Sequence, residues 1–384
     1  MTQSNHTTSA ATATSTAQSN AFVIAVLPGD GIGPEVMAPC LDIIRAAEAK
    51  VGGFSLSFNE KPAGAAHYRD TGEALPSDTV DACRRADAIL LAAMGLPHIR
   101  YPDGTEIAPQ IDLRFELELF AGVRPVKSLP GRPGVLADPR SAELDFILVR
   151  ESTEGLFATK GKGAVVNDQC ATETLVITRA NTERLCDFCY RLARKRKAAG
   201  YPGRLTLVDK ANVFSSFAFM RKIFDERGEA FTDIERGYAY VDATALDMVR
   251  RPWTFDVMVT ENMFGDILSD LGAGLIGGMG MAPSADIGLK HAVFQPCHGT
   301  APDIMGQGKA NPVAMFLSAA MMLDWLGDER EIASLGRAAH LIETAVAEAF
   351  RHADLTPTEL GGSDGTERIT AAVLSEIDRI KLPD

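Results

Sequence analysis

Short apolar runs of strand length alternate with helix-spaced segments along most of this chain, and that alternation limits what it can fold into more than any other feature. Ala21–Leu27 reads as a buried strand, followed by the turn Pro28-Gly-Asp-Gly-Ile-Gly-Pro-Glu35 and a helical run over Val36–Ala49. A helix at Ser77–Arg85 precedes a strand at Ala88–Ala93. Strands at Phe146–Arg150, Leu205–Asp209, Tyr238–Asp242 and Phe255–Thr260 then alternate with helices near Thr182–Ala199 and Val213–Arg227, and helices at Pro312–Leu326 and Glu331–His352 close the chain. The class is α/β, a sheet covered by helices. The glycines at 29, 31 and 33 are spaced GxGxG rather than GxGxxG, so a phosphate cradle and a plain strand-to-helix turn stay equally open. Gly95–Pro109, with three prolines, reads as a long surface loop of the kind that carries function.

Composition excludes several classes. A length of 384 residues suffices for a large core and for two domains. A net charge of -13 argues against a nucleic-acid partner, while a few local arginines could still bind an anionic substrate. The six cysteines are too scattered for a disulfide scaffold, and Cys186 and Cys189, a CxxC inside a helical segment, read as core residues. The seven histidines (His6, His67, His98, His291, His298, His340 and His352) show no paired ligand spacing, which weakens a histidine-metal enzyme of other chemistry. Residues 1–20 are nearly all Ser, Thr, Ala, Gln and Asn and are expected to be a disordered tail. The first Lys or Arg is Arg45 and no apolar run approaches the roughly 20 residues that span a bilayer, so a cytoplasmic protein without a membrane partner is expected.

Chemistry-bearing residues interrupt the apolar pattern at a few places. In Phe255–Asp270 a strand leads to a turn ending at Gly265 and a helix expected from Asp266. Asp266 and Asp270 then share one face, half of a site for a hard cation such as Mg²⁺ or Mn²⁺. Arg114, Arg124 and Arg150 flank separate apolar segments and could converge on carboxylates. Lys210 and Asp242 fall where strands are expected to end, the edge at which α/β enzymes place their chemistry.

Seven motifs occur in one order: Gly29-Asp-Gly-Ile-Gly-Pro-Glu35; Leu113-Arg114 with Arg124-Pro-Val-Lys127; Val149-Arg-Glu-Ser-Thr-Glu-Gly155; Val208-Asp-Lys-Ala-Asn-Val213; Tyr240-Val-Asp-Ala243; Asn262-Met-Phe-Gly-Asp-Ile-Leu-Ser-Asp270; and His298-Gly-Thr-Ala-Pro-Asp-Ile304 with Ala310-Asn-Pro312. Over roughly residues 22–382 the chain resembles the β-decarboxylating dehydrogenases, the family of isopropylmalate, isocitrate, homoisocitrate and tartrate dehydrogenases. The resemblance implies a two-domain fold around a mixed sheet, distinct from the Rossmann fold. The large cofactor-binding domain would comprise residues 21–119 plus 277–384, and the small domain with the dimer interface residues 120–276. It also implies a homodimer with shared active sites, in which Lys210 and Asp242 act in the partner's site as catalytic residues. The metal would be held by Asp242, Asp266 and Asp270, and the substrate carboxylates by Arg114, Arg124 and Arg150. His298, Gly299, Asp303 and Asn311 would bind the adenosine end of the cofactor. Asp303 favours NAD, because a carboxylate accepts from a ribose hydroxyl and repels a 2′-phosphate.

The resemblance implies oxidation of a 3-substituted malate such as 3-isopropylmalate or tartrate, followed by decarboxylation. Two positions depart from the family pattern. Phe157 stands where the family has a tyrosine thought to protonate the enol, and Phe has no proton to give. Gln110-Ile111 replaces two leucines that contact the isopropyl group of isopropylmalate, and an amide there suits a polar substituent. Phe157 also motivates the alternative of a catalytically weak regulatory or ligand-binding relative.

Overall fold

The computed structural model describes residues 20–130, 132 and 134–382, so the expected tail over 1–20 lies, apart from Asn20, outside the described residues. Twelve strands are present: β1 Ala21–Gly29, β2 Ser55–Glu60, β3 Ala88–Ala93, β4 Ala121–Lys127, β5 Asp145–Glu151, β6 Ala164–Val166, β7 Cys170–Thr172, β8 Arg204–Asp209, β9 Glu235–Tyr240, β10 Val257–Thr260, β11 Pro283–Ile287 and β12 Ala292–Pro296. Between them run α1 Gly33–Val51, α2 Ala65–Thr71, α3 Ser77–Arg85, α4 Pro109–Glu116, α5 Arg179–Ala198, α6 Ser215–Gly228, α7 Val241–Arg250 and α8 Asn262–Leu275, followed by α9 Val313–Arg330, α10 Ala333–His352 and α11 Thr366–Arg379.

Ten strands form one sheet in the order β2-β1-β3-β12-β11-β4-β5-β10-β8-β9, and β6 with β7 makes a separate exposed hairpin. The outer strands on both sides pair in parallel. At the centre β11 runs antiparallel to both β12 and β4, and β4 antiparallel to β5. The sheet is therefore mixed, with parallel outer parts joined through an antiparallel middle. Strands β3, β8 and β10 are almost wholly buried, which explains why they read as continuous apolar runs. Helices α1, α9, α10 and α11 pack together beside one half of the sheet, and α5 to α8 cover the other. One apolar core runs through both halves.

Two boundaries differ from expectation in ways that matter for the site. Asp242 does not end a strand: β9 stops at Tyr240, and Asp242 lies in the first turn of α7, where the helix dipole favours a carboxylate. The helix carrying Asp266 starts four residues early, at Asn262. The carboxylate of Glu261 accepts from the Phe264 N–H at 2.9 Å and caps it, so Gly265 is inside the first turn. Asp266 and Asp270 remain one turn apart on α8.

The glycine-rich turn after β1 acts as a brace. The Asp30 carboxylate accepts from the N–H groups of Ala65, Ala66 and Gly95 at 2.7, 2.9 and 2.8 Å. Ile32 N–H donates to the Thr300 carbonyl at 2.9 Å, and the Thr300 hydroxyl donates to the Gly95 carbonyl at 2.7 Å. Loop 95–109 and the segment after β12 are thereby tied to the end of β1. Cys186 and Cys189 are buried in α5, where burial pushes both thiols up and leaves them inert core residues.

Candidate active site

Arg114 on α4, Arg124 on β4 and Arg150 on β5 are all buried, and they line one cavity of about 270 Å³. Gln110, Ile111, Phe157, Asp266, Asp270 and His298, with Gly299, share that lining. Three buried guanidinium groups would be costly without partners, and each has one. Asp286, in the middle of β11, is 2% exposed; it accepts from Arg114 Nη2 at 3.0 Å and from Arg124 Nη2 at 3.2 Å. Gln295 on β12 donates to the same carboxylate at 2.7 Å. Arg124 also donates through Nη1 to the carbonyls of Ala285 and Val123 at 3.1 and 3.2 Å, which fixes the plane of its guanidinium. Burial alone would push the Asp286 carboxyl up, but Arg114, Arg124 and Arg150 outweigh it and hold the group below the usual carboxylate range.

Arg150 is held from the other side. Its Nε and Nη2 donate to the Asn262 side-chain oxygen at 2.9 and 2.7 Å, and its Nη1 pairs with Asp266. Burial, with Arg114 adding to it, lowers this guanidinium to about 10, so it stays cationic at neutral pH. A Cβ at Gly265 would lie 2.7 Å from Arg150 Cβ, so only glycine lets the first turn of α8 approach β5 this closely. Gly122 clears a similar space on β4, where a Cβ would sit 3.0 Å from Asp286 Oδ1. The Phe157 ring lies with its centroid 5.3 Å from the Arg150 guanidinium carbon, a cation–π contact.

The carboxylates of Asp266, paired with Arg150, and Asp270 line the same cavity. Burial and then the neighbouring Asp266 charge raise the Asp270 carboxyl, an arrangement that favours a bound cation. Among the described residues no group of three or more His, Cys, Asp or Glu is placed to hold a metal, so the two aspartates are what one chain offers at this cavity. His298 Nδ1 faces the Gly299 carbonyl at 2.9 Å while its Nε2 is enclosed and unpartnered, and burial lowers its pKa, keeping the ring neutral. Gln110 Oε1 and Arg114 Nε are likewise enclosed without partners.

The remaining candidates lie elsewhere. Lys210 and Asp242 pair with each other at 2.6 Å, Lys210 Nζ donating, and neither lines the cavity of its own chain. The lysine lowers the Asp242 carboxyl. Asp303 is exposed in a single 3₁₀ turn after His298. Asn311 is buried, and its amide donates to Glu359 at 2.6 Å and contacts the Met281 sulfur at 3.0 Å. Sequence patterning gave no warning of Asp286, Gln295 or Asn262 as site residues. The available signal for Asp286 was a lone carboxylate inside Pro283–Ile287, a segment otherwise suited to a buried strand.

With this geometry the chain can be placed. It belongs to the isocitrate/isopropylmalate dehydrogenase family, whose model matches residues 23–374. Among similar proteins, the 3-isopropylmalate dehydrogenase of Chlorobaculum tepidum is 39% identical over 366 residues, covering 93% of this chain and 99% of that one. The 3-isopropylmalate/3-methylmalate dehydrogenase of Methanocaldococcus jannaschii is 38% identical over 355 residues, covering 92% and 98%. Among solved structures, the isocitrate dehydrogenase of Methylococcus capsulatus superimposes with a TM-score of 0.80 at 34% identity, covering 93% of this chain and 99% of that one. A β-decarboxylating dehydrogenase from Thermococcus kodakarensis, in its apo form, gives 0.74 at 32%, covering 93% and 96%.

Proposed function

We propose that this chain oxidises and decarboxylates a 3-substituted malate, using NAD and Mg²⁺ or Mn²⁺, as a homodimer whose two sites are shared. The observation that carries this reading is the convergence of three buried arginines on one cavity faced by two carboxylates. Guanidinium forks suit the substrate carboxylates, and paired aspartates suit a hard cation that keeps places for substrate oxygens. Family membership and the 3-isopropylmalate dehydrogenases among its relatives support the same chemistry.

When bound, the cation supplies Lewis acidity at the substrate hydroxyl and NAD supplies the hydride acceptor. Asp266 and Asp270, with Asp242 from a second copy, would hold the cation. Arg114, Arg124 and Arg150 orient the carboxylates. Lys210 of the second copy would take the hydroxyl proton at Nζ once its ammonium has given up a proton to solvent, and its contact with Asp242 keeps the two side chains together. Exposed apolar side chains on α7 and α8, Leu246, Val249 and Ile267, offer a face for that second copy. His298, Gly299, Asp303 and Asn311 are assigned to the adenosine end of NAD; an added Cβ at Gly299 would meet nothing within 4 Å, so the backbone there is open to a ligand. The cavity draws its lining from both 21–119 plus 277–384 and 120–276, which supports reading those stretches as two domains with the site between them.

The test is NADH formation with Mn²⁺ over malate, tartrate, isocitrate, 3-isopropylmalate and homoisocitrate, with CO₂ followed in parallel. Equal NADH and CO₂ on one acid supports the proposal. NADH without CO₂ restricts it to oxidation. No turnover on any of them, with metal and NAD still bound, supports a regulatory relative instead, the reading that Phe157 favours.

A further inference from the structure

The geometry points to Asp286 as a positioning residue that sets the charge this site accepts, selecting a dicarboxylate whose C3 substituent is uncharged over a tricarboxylate. This rests on the proposed reaction and narrows its substrate.

Asp286 is closed off from the cavity behind the arginines, yet it bonds two of the three guanidinium groups at 3.0 and 3.2 Å. Its side chain is 3% exposed, so its charge is weakly screened and acts on the cavity at close range. The fixed charges of one chain's cavity are then three cations, Arg114, Arg124 and Arg150, against three anions, Asp266, Asp270 and Asp286, a net of zero, and Lys210 and Asp242 of a second copy would add +1 and −1 and leave that net unchanged. His298 is kept neutral by burial, and the Cys297 thiol, also pushed up by burial, adds no charge. A divalent cation brings +2, and a malate with an uncharged substituent brings −2. Before NAD brings its cationic nicotinamide ring, a third carboxylate would leave one negative charge unmatched. Without Asp286 the same count would favour the trianion.

The polar lining beside the clamp agrees. Gln110, one helical turn before Arg114 on α4, lines the cavity with an amide and no charge. Among the described residues the lining contains no lysine and no arginine beyond the three. Asp286 touches no substrate; it acts through Arg114 and Arg124.

The test compares wild type, Asp286→Asn and Asp286→Glu as full-length protein. Calorimetry without metal measures the affinity ratio of tricarballylate to succinate, and kcat/KM with Mn²⁺ and NAD measures isocitrate against the best malate. Asp286→Asn keeps the shape and an acceptor oxygen but removes the charge. It should raise both tricarboxylate-to-dicarboxylate ratios by about tenfold or more, the scale of one unit charge several ångströms away at an effective dielectric near 20. Asp286→Glu, which keeps the charge, should hold the wild-type ratios. An unchanged ratio in Asp286→Asn, or equal strengthening of both ligands, overturns the inference, as does wild type binding neither anion. If Asp286→Asn does not fold, wild type decides alone: a preference for the tricarboxylate overturns it, and a preference for succinate that narrows with added salt sustains it. Failure of the proposed reaction is seen separately, as no NADH from any malate in wild type.

Discussion

Arg124 and Lys210 are both cations at the functional edge of the same sheet, and their surroundings could hardly differ more. Arg124 is buried on a central strand, with one nitrogen on Asp286 and another on two carbonyls. Lys210 follows β8 near the sheet's far side and has one partner, Asp242, whose side chain is 70% exposed. A buried, multiply bonded guanidinium is finished within its own chain. A lysine paired to an exposed carboxylate gains little stability from the contact, since solvent screens it. The contrast separates a clamp built to keep its shape from a pair that adds little to the fold of its own chain.

The sharpest way to break that contrast is Lys210→Ala. Loss of a proton-transfer group should lower kcat by on the order of 10²–10⁴-fold, while the melting temperature stays at the wild-type value because the lost pair is solvated. A large fall in melting temperature would place Lys210 in the structural class with Arg124. Mixing Lys210→Ala with Arg150→Ala subunits should restore about a quarter of wild-type activity at most, the yield of one intact site in half of the dimers, and no recovery would count against shared sites.

Asp286→Ala tests the other side. It leaves two buried guanidinium groups without their common acceptor and should cost about 3–5 kcal/mol of stability, read from denaturant unfolding. The pH dependence has a definite sign. The folded-state pKa of Asp286 is depressed by the arginines, so its contribution is complete above the unfolded value of about 3.9 and is lost as pH falls through the folded value. Wild type should therefore weaken below about pH 4, and Asp286→Asn should lose that share of the acid limb. An acid limb unchanged in the variant would show that the carboxylate is not held as described.

Much of this was legible in the chain because it is local. Ala88–Ala93 is apolar throughout and is a buried strand; Asp266 and Asp270 share a face as expected although α8 starts four residues earlier, because both lie within the helix, four residues apart, from either start. Motif order was enough to single out Arg114, Arg124 and Arg150 before any geometry. What could not be read is the meeting of distant segments. Asp286 joins Arg114 across 172 positions and Arg124 across 162, and no local pattern encodes an antiparallel β11 between β12 and β4. Asp242 was misplaced because Tyr238–Val241 is an unbroken apolar and aromatic run that hides the change from β9 to α7 at Val241, a helix start that carries no side-chain cap.

The exposed class extends beyond Lys210. Ile267 is 63% exposed, one residue after Asp266 on α8 and so turned away from the cavity. Ile267→Glu should weaken association by on the order of a few kcal/mol if like charges face each other across a two-fold. Light scattering would then show a concentration-dependent fall in mass, with activity falling alongside. A monomeric wild type, or a variant whose mass is unchanged, would leave the surface position of Lys210 and Asp242 without its proposed reason.

Phe157 sits between the two classes, and its substitution has the smallest expected effect on stability. It lines the cavity, and its ring meets the Arg150 guanidinium at 5.3 Å through the face rather than the edge where a hydroxyl would be added. Phe157→Tyr keeps that face, so stability should change by less than about 0.5 kcal/mol. The new hydroxyl is a proton donor that Phe lacks. If protonation after loss of CO₂ limits turnover, the variant should turn over faster, with NADH and CO₂ rising together. An unchanged or lower rate would mean that water or another acid already serves, and that the aromatic face on Arg150 is what this position contributes.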